Sequence, residues 1–253
     1  MKRRFFKIAL VILASLALVA FAFSGYPTVT KTDRAYIDSF LTEWKIPAQP
    51  DSIHTSFDKE IDFISIIQDS VLQSIRHDMI KFNQVGDCKI YFTERKGSCY
   101  DRAIFMEKIF SSYGFPIRHL YLYFNSDSTP IATFDIFNKG LTSHAMLEVK
   151  TKNGWMLVGT NGNWLALDQE KNPLKIQQVR EVLKKGAFTP YKKTNIGITF
   201  YETLQIPSNF KVIYGVYSRH GEFLQSPIEK GLKGIGVPSF VPDYNLRMLL
   251  YNF

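Results

Sequence analysis

Apolar residues recur along this chain first at helical spacing and then at strand spacing. Tyr36, Ile37, Phe40, Leu41 and Trp44 fall on one helical face, and Pro47 stops the run. Phe63, Ile64, Ile67, Val71 and Ile75 repeat the pattern and predict a second helix. Both read as scaffold, because apolar side chains at that spacing build a core stripe. A third helix follows Gly97-Ser98 with Ala103, Met106, Phe110 and Tyr113 on one face. Gly114 suits the left-handed position that ends it, and Phe115-Pro116 breaks the chain direction. The period then changes to two. Residues 119–123 predict a strand, and a run from Leu141 or Ser143 to Lys150 predicts another. Asn153-Gly154 supplies a type I′ turn into a third strand over 155–158. Beyond Trp164 come a loop, a short helix near 176–185, a strand at 210–217 and a Pro-punctuated C-terminal segment. Helices first and strands afterwards predict an α+β fold, an antiparallel sheet with helices packed on one side.

The N-terminus stands apart from this pattern. Lys2, Arg3, Arg4 and Lys7 precede an apolar run from Ile8 to Phe23 that only Ser15 interrupts, which is the layout of an export signal. The run has 16 residues (8 through 23), shorter than the ~20 of a comfortable membrane span and longer than an ordinary signal core of ~7–15. Ala20 and Ala22 offer small residues for cleavage, but Phe21 and Phe23 alternate with them. Residues 1–24 are therefore expected to be a signal peptide or a signal anchor. The protein would then be exported, as a periplasmic, secreted or inner-membrane-anchored protein whose membrane contact runs through this segment. Residues 25–85 form a helical lead-in in this reading, and 86–253 a domain with a C-terminal extension.

Composition sharpens this only a little. With 253 residues, 45% hydrophobic, the chain can bury one large core. Its net charge of +8 falls to +4 once the four cations of residues 1–24 are set aside. The remaining lysine pairs, Lys184-Lys185 and Lys192-Lys193, sit beside Gly or Pro with no regular aromatic interleaving, so solvated surface is expected rather than nucleic-acid binding.

Two cysteines are present, Cys88 and Cys99. In an exported protein they could close a disulfide across an 11-residue separation, with a gain of about 2–3 kcal/mol. Alternatively Cys99 is a nucleophile. It opens the third helix in Lys96-Gly97-Ser98-Cys99-Tyr100, where the helix dipole and free amides favour a thiolate and an oxyanion, and Gly97 leaves room for close substrate approach. Among the five histidines His144 fits best as its base, because it opens a strand and shares a face with Met146 and Glu148. Glu148 itself reads as a sheet-margin or helix-facing carboxylate, and His119 as structural; His54, His77 and His220 lie in polar or turn contexts. No Cys or His pair has zinc-site spacing, no acidic loop suits calcium, and the glycine-rich run Lys230–Gly236 lacks the frame of a phosphate loop. No metal or cofactor is expected.

The block Gly97-Ser98-Cys99-Tyr100, continuing as a helix to Gly114, and the block Ser143-His144-Ala145-Met146-Leu147-Glu148-Val149 with Gly154-Trp155 together resemble the core of the transglutaminase-like superfamily. That resemblance covers residues 89–164 and implies a papain/transglutaminase-like fold with the nucleophile at a helix start packed on an antiparallel sheet. It implies that Cys99 accepts an acyl group, that His144 is its base, and that the substrate is a protein or peptide amide. Tyr100 and Trp155 take the places of the family's aromatics, as core or site wall. The sequence departs from the family where the third, acidic residue is due, because that place is held by Gly159. With Asn153-Gly154 as the hairpin loop, paired numbers sum to 307, so His144 faces Asn163 and lies diagonal to Asn161. Asn161 is therefore nominated to orient the imidazole, as an Asn does in Cys-His-Asn proteases, with Asn163 next and Asp168 in reserve. The leading expectation is a thiol acyl-transfer enzyme (peptidase, amidase or transglutaminase). The competing one is a non-catalytic binding module of the same fold at the cell envelope.

Overall fold

A computed structural model describes residues 11–12, 15, 29–46, 50–78, 87–124, 142–185, 191 and 209–214. All but three residues of the leader lie outside this set, as do residues 215–253, including His220 and the glycine-rich run at 230–236. Among the described residues no helix is long and apolar enough to cross a membrane.

Three helices open the fold: α1 (Lys31–Glu43), the short α2 (Pro50–Ile53) and α3 (Phe57–Ser74). Thr30 starts α1 through a capping box, since its hydroxyl accepts from the Asp33 N–H while Asp33 accepts from the Thr30 N–H. Ser56 caps α3 by accepting from the Lys59 N–H. The next elements are β1 (Arg76–His77), α4 (Cys88–Glu94), β2 (Lys96–Gly97) and α5 (Cys99–Ser112). β1 and β2 form a two-residue parallel pair in which His77 stands beside Gly97. Helix α5 ends as its sequence predicts, with Gly114 at φ +83°.

The sheet follows, with β3 (Ile117–Phe124), β4 (Thr142–Thr151), β5 (Gly154–Val158) and β6 (Lys211–Tyr214), antiparallel throughout in the order β5-β4-β3-β6. Tyr121, Tyr123, Ala145, Leu147, Val149, Met156 and Val158 turn to one face and join Phe40, Ile64, Ile67, Phe105 and Phe110 in the larger core. Leu120, Leu122, Met146 and Leu157 turn to the other face, where α6 (Ile176–Lys184) packs with Ile176 and Val179. The sheet is thus covered on its second face as well, an addition to the layering the sequence predicts. The lead-in helices share the main core with α5 and the sheet, so they are part of the same folding unit.

The hairpin register differs from the predicted one by two. Thr151 pairs with Gly154 and Lys150 with Trp155, so paired numbers sum to 305 and the loop is Lys152-Asn153. A type I′ turn needs positive φ at both central residues, and neither Lys152 nor Asn153 has it. Gly154 takes the unusual backbone conformation instead, at φ +132°, while the Thr151 hydroxyl donates to its carbonyl at 2.9 Å. A shift of two preserves which residues share a face.

Candidate active site

Cys99 is the first residue of α5, and that helix start is built by its own side chains. Asp101 Oδ2 accepts from both the Ser98 N–H and the Ser98 hydroxyl at 2.7 Å, and Tyr91 donates to Oδ1 at 3.5 Å. Asp101 is fully buried, and a Cβ on Gly97 would approach its Cβ to 2.7 Å. The close approach that requires glycine at 97 is therefore to the helix cap itself.

Both cysteines are free thiols, so the disulfide reading does not hold. Cys88 begins α4, fully buried, and burial raises its pKa. Cys99 is half-buried, and the backbone N–H groups of Tyr100 and Ala145 donate toward its sulfur. Ala145 follows His144 on β4, so the start of α5 meets that strand one residue from the proposed base.

The electrostatics differ from the sequence expectation. Burial pushes the Cys99 thiol up, helped by Asp101, and outweighs the two amides and the nearby Arg102 charge that pull it down. Burial also lowers the His144 imidazole to about 4, with the charges of His77 and Arg102 adding to the effect. At neutral pH the Cys99 thiol and the His144 imidazole are each neutral, whereas a helix dipole alone would favour a thiolate. The local dipole is present, but it is smaller than the desolvation.

Asn161 is diverted from the role proposed for it. The β4–β5 ladder ends at Leu147 and Val158; beyond it the Thr160 hydroxyl donates to the Ala145 carbonyl at 2.5 Å. Asn161 Oδ1 accepts from Arg102 Nη1 at 3.1 Å. Among the described residues no hydrogen bond reaches the His144 ring. Asn163 is half-exposed on the same turn, while Asp168 is tied into an exposed turn by Glu170 and Asn172, at 2.9 and 2.7 Å from their N–H groups. Asp168 does not join the site.

Gly159 explains why the acid cannot stand where the family would have it. A Cβ there would lie 2.6 Å from the Gly162 carbonyl oxygen and 2.8 Å from the Trp164 ring. Gln68, buried on the apolar face of α3, holds this turn by donating to the carbonyls of Gly159, Trp164 and Gly162 at 2.7, 2.9 and 3.2 Å. We therefore expect Gly159→Asp to destabilise the fold by about 2–3 kcal/mol in denaturant unfolding, as overpacked sites do, rather than to complete a triad. An unchanged midpoint would show that the turn can relax around the added side chain.

Other sequence expectations resolve into structure. Glu148 is fully buried and accepts from the Ile176 N–H at 2.8 Å, capping α6. His119 Nδ1 contacts Glu107 Oε2 at 2.9 Å, and its ring packs with Tyr100 and Tyr121 in the core. His54 bridges Glu60 and the Tyr113 carbonyl at 2.9 and 2.8 Å. Trp155 lies at the far end of β5 from His144, its ring 3.9 Å from the Arg118 guanidinium carbon, so it is no wall of this site. The sequence reading did not single out Arg102, Gln68 or the proximity of His77. A polar residue on each apolar helix face was the available signal for the first two. Among the described residues no cluster of His, Cys, Asp and Glu could hold a metal ion.

Residues 50–160 match the model of the transglutaminase-like superfamily, beginning inside the lead-in helices and ending at the Thr160 turn. No curated protein matches the sequence. A solved structure of a candidate protease from Parabacteroides distasonis aligns over 51% of this chain at 15% identity with a TM-score of 0.30, and the alignment spans 26% of that chain. Residues 50–160 of this chain thus form a domain of the transglutaminase-like superfamily.

Proposed function

We propose that the protein is a thiol acyl-transfer enzyme acting on amide bonds of protein or peptide substrates through Cys99 and His144. The observation that carries this reading is the junction of the α5 start with β4, where the Ala145 N–H reaches the Cys99 sulfur next to His144. An imidazole kept neutral is a competent proton acceptor. In the proposed reaction the Cys99 proton passes to His144 as sulfur attacks the amide carbonyl and a C–S bond forms. The Tyr100 and Ala145 amides oppose the negative charge that develops. His144 returns the proton to the departing nitrogen as the C–N bond breaks, leaving a thioester. Water or a second amine then attacks the thioester, gives its proton to His144, and the sulfur regains it on leaving.

The test needs no knowledge of the natural substrate. Incubating the full chain with p-nitrophenyl acetate should release nitrophenol in a burst and add one acetyl mass to the Cys99 peptide, neither occurring in Cys99→Ala. An unmodified Cys99 would sink the reading. A His144 ring that no hydrogen bond reaches among the described residues, together with the raised thiol, favours a second reading, a binding module of the same fold at the cell envelope, and that outcome would support it.

We further propose that residues 1–24 direct export and stand apart from the domain, because a run apolar on all sides has no polar face for a soluble fold. Deleting them should leave a soluble domain with an unchanged cooperative unfolding transition. Loss of that transition would place the segment in the core.

A further inference from the structure

Arg102 is 4% exposed, yet none of the described ion pairs involves it. Its guanidinium donates from Nε and Nη2 to the Ile75 carbonyl at 3.1 and 2.7 Å, and from Nη1 to Asn161 Oδ1. The Ile75 carbonyl lies at the C-cap of α3, where helix carbonyls lack partners, so a lysine or arginine there has an ordinary structural use. That use does not require a side chain three residues after Cys99, on the adjoining helix face. The contacts close a ring: the Cys99 sulfur meets the Ala145 N–H, the Ala145 carbonyl accepts from Thr160, and the next residue, Asn161, accepts from Arg102.

We propose that Arg102 is a positioning residue of the Cys99 site, a fixed buried cation that favours negative charge at the sulfur and keeps the proton off His144. This deepens the acyl-transfer reading and rests on it. A buried cation with no described carboxylate at ion-pair distance acts at short range, because low local dielectric leaves its field little screened. The ionisable groups around it are Cys99 and Asp101 on α5, His77 on β1 with Asp78 just after it, and His144 on β4. Asp101 is committed to the helix cap, and Asp78 is exposed beside Arg76. The proton-transfer partners, Cys99 and His144, are thus both among the groups that its charge reaches.

The experiment measures iodoacetamide labelling of Cys99 against pH, mapped by mass spectrometry, and the His144 ring titration by NMR. It compares the full-length wild type with Arg102→Met, Arg102→Lys, Asn161→Ala and His144→Ala. Buried Cys88 is the internal control, since its labelling reports an opened fold. In Arg102→Met, labelling at a given pH should slow about tenfold, one unit in apparent thiol pKa, and the His144 titration should move up. Arg102→Lys should retain most of the wild-type behaviour. Asn161→Ala, which frees one arm of the guanidinium, should shift both curves the same way by less. If Arg102→Met exposes Cys88, the lysine and Asn161 variants decide. Folded variants that keep both wild-type curves overturn the proposal, leaving Arg102 a helix cap only. Loss of the Arg102 effect with His144→Ala still slowing acylation would remove this proposal alone. Conversely, an Arg102 shift with acylation indifferent to His144 would remove the base assignment.

Discussion

Acetylation of Cys99 should fall about 10²–10⁴-fold in His144→Ala, the span that a positioned general base contributes. The pH dependence of the wild-type reaction carries the sharper information. His144 is held at about 4, below the ordinary 6.5, so it stays neutral and able to accept the thiol proton as the pH drops through 6.5. The acid limb should therefore fall near pH 4 and disappear in His144→Ala. A limb near 6.5 would mean that the ring is solvated, contrary to the burial described. The same depression has a thermodynamic face. A histidine whose folded pKa lies below its unfolded one takes up a proton on unfolding. Its contribution to stability is fully present above about 6.5 and is lost as the pH falls toward 4. Stability should then decline first, as the pH falls from about 6.5 toward 4, and activity only near 4, through the same imidazole.

Much of this site was readable because its local signals are strong. Gly97-Ser98 before a periodic run marked the start of α5, Gly114 marked its end, and the β4–β5 hairpin followed from alternation and a turn. The β4–β5 register was miscounted by two, and within the ladder a two-residue slip keeps every side chain on its face. What failed to show were features set by tertiary placement. Arg102 looks like an ordinary helix residue until α3 ends beneath it and leaves the Ile75 carbonyl unsatisfied. Gln68 interrupts an apolar stripe with no local reason, and finds one only in the carbonyls of the 159–164 turn. The β1–β2 pair is two residues long and has no period to detect. The thiol's environment was misread for a related reason. A helix dipole is visible in a sequence, whereas the desolvation that outweighs it depends on what packs around the helix start.

Lys108→Met should lower the stability of the folded chain by about 3–5 kcal/mol, the usual loss when one partner of a buried ion pair is removed. Lys108 Nζ lies 2.9 Å from Asp33 Oδ2, with both side chains less than a tenth exposed. Asp33 also joins three elements. It accepts from Thr30 to cap α1 and from the Cys88 N–H at 3.4 Å where α4 begins, while Lys108 brings in α5. Burial alone would raise this carboxyl, but Lys108 and the Thr30 donors outweigh it and hold it at about 2. Removing the ammonium leaves a desolvated carboxylate that must either stay charged at high cost or take a proton. Pairing Lys108→Met with Asp33→Asn should therefore recover part of the loss, since neither position then carries a buried charge. The pH dependence fixes the sign. A carboxyl depressed from 3.8 to about 2 contributes stability that is fully present above pH 4 and is lost as the pH falls toward 2. In Lys108→Met that contribution is already gone, so wild type and variant should converge in acid. Guanidinium unfolding at pH 7 and at pH 3 measures both effects. A loss below about 1 kcal/mol at pH 7, as for an exposed pair, would show that water reaches this junction.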